Sequence, residues 1–115
     1  MIHMLCRFNL KPSATLQTFE ENYIRFFEYM RSRGLAETTG AIGKRVYDTP
    51  MDTDSVNAAE YYVVMTFRDR KQLDRSYAHI SHDNIDQKHL AAHVNIQQAI
   101  DSPIFTCWQT GVQDA

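Results

Sequence analysis

From Met1 to Leu10 the chain alternates, with Ile2, Met4, Cys6 and Phe8 on one side and His3, Leu5, Arg7 and Asn9 on the other. A two-residue period predicts a strand between two different environments. Glu60 to Arg68 repeats the arrangement, with Tyr61, Val63, Met65 and Phe67 opposed by Tyr62, Val64, Thr66 and Arg68. Both strands keep their polar groups on the side away from the apolar stripe. The pair therefore predicts a sheet with one packed face and one face lining a pocket or an interface.

Between these strands the period changes. Lys11-Pro12-Ser13 breaks the extended run and offers Ser13 as a helix N-cap. Leu16, Phe19, Tyr23, Phe26, Phe27 and Met30 then recur at three- and four-residue steps, an amphipathic helix that Gly34 closes. Glu37 to Asp48 reads as a weaker strand, its Gly40, Ala41 and Gly43 marking an edge, a bulge or a close backbone approach. Asp48 to Asn57, polar and containing Pro50, reads as a flexible hairpin loop. After the Glu60–Arg68 strand, Asp69 and Gln72 form a capping pair for a helix with Leu73, Tyr77 and Ile80 on one stripe. Ser81 to Asn84 is a predicted turn, Asp86 to Ile100 a further helix, and Ile104 to Thr110 a last strand after Asp101-Ser102-Pro103.

The order is strand, helix, strand, strand, a helix in two pieces, strand. This split βαβ pattern predicts an α+β domain over residues 1–115, a four-stranded antiparallel sheet with helices on one face. Connection rules put the first strand between the third and fourth. Leu5, Tyr62, Val64 and Trp108 then remain on the other face, more apolar surface than a monomer this small leaves wet. A second copy packed face to face is the expected cover.

Composition narrows the partners. Of 115 residues, 43% are hydrophobic and 23% charged, the balance of a globular chain. A formal charge of −2 with interspersed signs argues against nucleic acid or an anionic membrane. No apolar run is long enough to span a bilayer, and strand alternation from residue 2 replaces a basic leader, so no secretory signal is expected. Cys6 and Cys107 match neither zinc spacing nor a disulfide framework. Both fit the core-facing side of neighbouring strands as buried, reduced thiols, which places the chain in the cytoplasm.

The segment Tyr61-Tyr62-Val63-Val64-Met65-Thr66-Phe67-Arg68-Asp69-Arg70, then Leu73, then Tyr77-Ala78-His79-Ile80-Ser81-His82, resembles the dimeric α/β-barrel superfamily. Its stress-responsive and antibiotic-monooxygenase-like branches come nearest. Stress-responsive members carry a strand ending in Phe and an acidic residue, a helix with a Tyr, and a His-Pro-x-His turn. His79 and His82 match that spacing, while Ile80 replaces the proline and Tyr77 stands one residue closer to His79. The resemblance implies a ferredoxin-like βαββαβ sandwich pairing into a dimeric α/β barrel. It also implies activities ranging from cofactor-free oxygenases, isomerases and cyclases to members with none known. Such a fold does not name its reaction.

Three functions are therefore expected to compete. The first is a homodimeric, cofactor-independent enzyme for a small aromatic or acidic compound. His3, His79 and His82 are its proton-transfer candidates, since imidazole titrates near neutrality. Arg7 and Arg68 would hold an anion, Asn9 and Thr66 add polar contacts, and Tyr62 and Trp108 form flat walls. The plainer alternative pairs Arg7 and Arg68 with acidic neighbours at the strand ends, Glu60 or Asp69. The second function is a non-catalytic dimeric module whose sheet face is filled by its partner. The third is metal binding through the cluster His79, His82, His89 and His93, of which His89 and His93 share one helix face, with Asp83 and Asp86 nearby.

Overall fold

A computed structural model describes residues 1–81 and 87–111, without the side chains of 87–89. The elements in chain order are β1 (Ile2–Leu10), α1 (Leu16–Ser32), β2 (Thr38–Thr39), β3 (Gly43–Lys44), β4 (Tyr61–Phe67), α2 (Arg70–Ser81), α3 (Gln87–Ala99) and β5 (Ile100–Gln109). The sheet runs β2-β4-β1-β5, with β3 also paired to β4, and its pairings are antiparallel. β1 is central, as the split βαβ order predicts.

Local chemistry sets the boundaries. Thr15, not Ser13, caps α1, its hydroxyl accepting the Thr18 N–H at 3.2 Å. Ser13 is instead spent in a turn closed by Ala14 N–H donating to Lys11 C=O at 2.9 Å. Gly34 takes a left-handed φ of 68°, which lets the Leu35 N–H reach back to the Met30 carbonyl at 2.9 Å and end the helix. Asp69 accepts the Gln72 N–H at 2.8 Å while Gln72 accepts the Arg68 N–H at 2.7 Å, so the expected capping pair starts α2.

Two strands differ from expectation. The weak second strand is two short pieces, β2 and β3, either side of Gly40–Ile42. Gly43 leaves room there for the Tyr62 ring, which a Cβ at that position would overlap and push aside. β5 begins at Ile100 and runs through Pro103. An edge strand tolerates a missing N–H, and a register shift opposite Arg7–Asn9, with Ser102 at φ 51°, absorbs the irregularity.

The core lies between the sheet and the helices. Cys6, Phe8, Val63, Met65 and Phe67 meet Phe19, Tyr23, Phe26, Phe27, Tyr29 and Met30 of α1 and Ala92 of α3. These strand residues belong to the stripe that the alternation marks as packed. On α2, Leu73 and Ile80 pack against this core, but Tyr77 is 74% exposed and leaves the predicted stripe, while Gln72 and Ser76 are buried. Cys107 is also a correction: it faces the helix side yet is exposed. β5 is the outer strand, and the helices leave Phe105 and Cys107 of that strand bare.

Candidate functional site

Opposite the core, β4, β1 and β5 present a grid of side chains in three rows. In-register partners in an antiparallel ladder project from the same face. The rows are Thr66–His3–Trp108, Val64–Leu5–Thr106 and Tyr62–Arg7–Ile104. Tyr62 and Trp108 are exposed at 45% and 62%. His3, Leu5, Arg7, Tyr62, Thr66 and Trp108 thus share the helix-free face, but Thr66 is buried there, so it supports His3 and does not present the open polar contact expected of it.

His3 is the most tightly positioned polar group of the grid. Its Nδ1 lies 2.8 Å from Thr66 Oγ1 and its Nε2 2.9 Å from Thr110 Oγ1. Thr110 Oγ1 also donates to the Met1 carbonyl at 3.5 Å. The tautomer is open: the form in which Nδ1–H donates to Thr66 Oγ1 leaves the Nε2 lone pair toward the Thr110 hydroxyl, where it can act as a base.

Arg7 already has a counter-ion, and it comes from the predicted flexible loop. Its Nη1 donates to Asp54 Oδ2 at 3.1 Å, while its Nε is buried without a partner among the described residues. The loop is a pinned strap. Arg45 forks onto Asp52 through Nε and Nη2, both at 2.7 Å, and reaches the carbonyls of Asp54 and Asn57. Asp54 accepts N–H groups of Val56 and Asn57 and the Asn57 side-chain amide. These hydrogen bonds, with Arg7, hold its carboxyl well below the usual carboxylate range. Asp52 is lowered by Arg45. Sequence alternation carries no sign of such a strap; the one hint is the spacing of Arg45, Asp52 and Asp54 around a turn-forming Pro50.

The strap and the sheet enclose an open groove of about 610 Å³. Leu5, Val46, Met51, Ala59 and Tyr62 supply its apolar lining, and Arg7, Lys44, Arg45, Asp52 and Asp54 its charge. The size falls within the roughly 300–1,000 Å³ of small-molecule sites.

The remaining candidates go elsewhere. Asn9 is occupied by the backbone, donating to Ala58 C=O at 3.2 Å and accepting the Glu60 N–H at 2.9 Å. Arg68, just past β4, pairs with Glu37 at 3.0 Å and Asp69 at 3.7 Å, in line with the strand-end alternative; its partners are Glu37 and Asp69, and Arg7's is Asp54, not Glu60. His79 lies in the helix layer, 2.6 Å from the Tyr29 hydroxyl, with the sheet between it and His3. His82 lies outside the described residues, as do Asp83 and Asp86 and the side chain of His89. His93 stacks on Phe26 at 4.8 Å, and burial lowers its pKa. Among the described residues no group of three or more His, Cys, Asp or Glu is arranged to hold a metal ion, and no helix is long and apolar enough to cross a membrane.

The architecture defined by this sheet, its helices on one side and its bare face on the other is a ferredoxin-like α+β sandwich of the kind found in dimeric proteins. Solved structures share this fold. At3g17210 from Arabidopsis thaliana matches over 100% of both chains with a TM-score of 0.70 at 9% identity. SnoaB, a cofactor-independent oxygenase from Streptomyces nogalater, matches 97% of this chain and 94% of its own, with a TM-score of 0.63 at 11% identity. A dimeric ferredoxin-like protein of unknown function from Jannaschia sp. CCS1 matches 95% of this chain and 98% of its own, with a TM-score of 0.63 at 12% identity. At such identities the likeness is one of fold. No protein-family model matches the sequence, and no curated protein matches it significantly.

Proposed function

We propose that this chain works as a homodimer binding a small aromatic or acidic organic molecule on its open sheet face, where His3 moves a proton without a cofactor. One observation carries the reading: a helix-free sheet face combining Leu5, Val64, Tyr62, Ile104 and Trp108 with a fixed imidazole and a groove of ligand size. Apolar surface of this extent asks for a cover, and the Jannaschia protein of the same fold is dimeric. Thr66 fixes the ring through Nδ1, leaving Nε2, whose partner is an exposed hydroxyl, as the nitrogen a ligand reaches. His79 is not a partner in this proposal, because the sheet separates it from His3 in the same chain.

Light scattering on the eluting protein is expected to give twice the 13.4 kDa of one chain, and Val64→Lys, in the middle row of the grid, a monomer. Thermal-shift screening of small organic compounds is expected to yield stabilising ligands. Exchange of an acidic C–H of such a ligand into D2O, followed by NMR, should occur with the native chain and cease in His3→Gln. A monomer, or a dimer stabilised by no compound, removes the proposal. The second outcome favours the non-catalytic module, which draws support from Asn9 and Arg68 being fully engaged within the chain.

A further inference from the structure

One chain leaves more surface wet than its size explains. It exposes 7915 Å², whereas a self-contained monomer of its 13.4 kDa exposes about 6,500 Å². The surplus of about 1,400 Å² exceeds the roughly 800 Å² that each partner gives to a standard interface. Much of the apolar part is fixed in place. Met51 and Val56 are exposed at 90% and 87%, yet they belong to the strap that Arg45 gathers through Asp52 and the carbonyls of Asp54 and Asn57. Apolar side chains held out by a pinned loop mark an interaction surface. Asp48, Asp52 and Asp54 beside them disfavour an anionic lipid surface as the partner.

The strap also continues the bare face of the sheet. It stands on the helix-free side, because Asp54 meets Arg7 and the groove runs between the strap and Leu5 and Tyr62. That side is therefore raised at the Tyr62–Arg7–Ile104 row. The opposite row, Thr66–His3–Trp108, has no such segment over it among the described residues, and Trp108 is exposed at 62%. In a two-fold pairing every contact between two different residues is made twice. Two raised ends set against each other would prop the faces apart. End-over-end pairing instead lays each strap on the low end of the other chain, apolar tip against indole.

We infer that the homodimer pairs end over end, with Met51 and Val56 of each strap lying on the partner's Trp108 and roofing the partner's His3. Each site is then built from two chains, and the roof keeps water away from the imidazole. The inference rests on the homodimer proposed above and adds the partner's share of the same site.

Photo-cross-linking of the full chain tests it. Met51→p-benzoylphenylalanine changes a side chain that is almost wholly exposed, so the fold accepts it. Illumination is expected to give a covalent dimer whose adduct, mapped by mass spectrometry, falls within residues 1–5 or 106–110. The same probe in the Val64→Lys monomer should give none. Met51→Asp combined with Val56→Asp is expected to weaken the dimer at least tenfold in sedimentation equilibrium. If light scattering finds the labelled chain monomeric, the probe moves to Val56 with the same expectation. A protein that is dimeric by light scattering but gives no covalent dimer, or an adduct elsewhere, overturns the strap's placement and leaves the homodimer standing. A covalent dimer formed equally by the Val64→Lys monomer marks random collision and overturns it as well. A native chain that is monomeric loses this inference together with the reading beneath it.

Discussion

Cys6 and Cys107 lie diagonally across the β1–β5 ladder, on the same side of the sheet, in opposite environments. Burial pushes the Cys6 thiol up to about 11, whereas Cys107 is exposed. Since the thiolate is the reactive species, iodoacetamide at pH 8 is expected to label Cys107 and to reach Cys6 only in denaturant, as peptide mass spectrometry would show. Equal labelling in the native state would contradict the packing described here. Alternation told correctly which side of the sheet each thiol occupies. It could not tell whether that side is covered, because coverage depends on how far the helices extend across the outer strand. His79 and Arg68 illustrate the same limit. Their residue types suit chemistry, but one is committed to Tyr29 in the helix layer and the other to Glu37 at a strand end.

Among the elements, the strap between β3 and β4 departs furthest from its sequence signature. A polar stretch with a proline and three aspartates is ordinarily a solvated loop, yet here one guanidinium gathers it and Asp54 ties it to β1. The carboxyls of Asp52 and Asp54 are depressed below the ordinary 3.8 by these contacts. A depressed folded-state value means their stabilisation is complete above the unfolded value and is lost as pH falls below it toward the folded ones. Chymotryptic cleavage at the exposed Tyr47, measured at pH 8 where the protease is active, should therefore be slow in the native chain and fast in Arg45→Ala. Thermal melts below the ordinary carboxylate value should show the native chain losing an advantage that Arg45→Ala never had. Indistinguishable cleavage of the two proteins would mean that Arg45 does not hold the strap. The regular elements were far more legible. Helix and strand periods survive in the sequence because each has a buried stripe, whereas a strap held by side-chain hydrogen bonds leaves no period to read.

At the scale of the whole molecule, the core is a single layer between sheet and helices, and Phe8 lies within it. It is fully buried and meets the rings of Phe19 at 4.9 Å and Tyr61 at 5.8 Å. Phe8→Ala is expected to cost about 3–5 kcal/mol, the range for deleting a large aromatic side chain from a packed interior. Urea unfolding would measure it as a lower midpoint with an unchanged slope. A loss below about 1 kcal/mol would mean that the site collapses or was never tightly packed.

Residue order alone determined the strand and helix sequence, the central position of β1 and the partition of its side chains between two faces. Those features follow from short-range periodicity and connection rules, which act along the chain. The tertiary structure decided which polar groups are spent and which remain available. Asp54 reaches Arg7 across 47 positions and Thr110 reaches His3 across 107. Pairings at such separation are set by how the folded layers and strap close upon one another, and no local pattern records them.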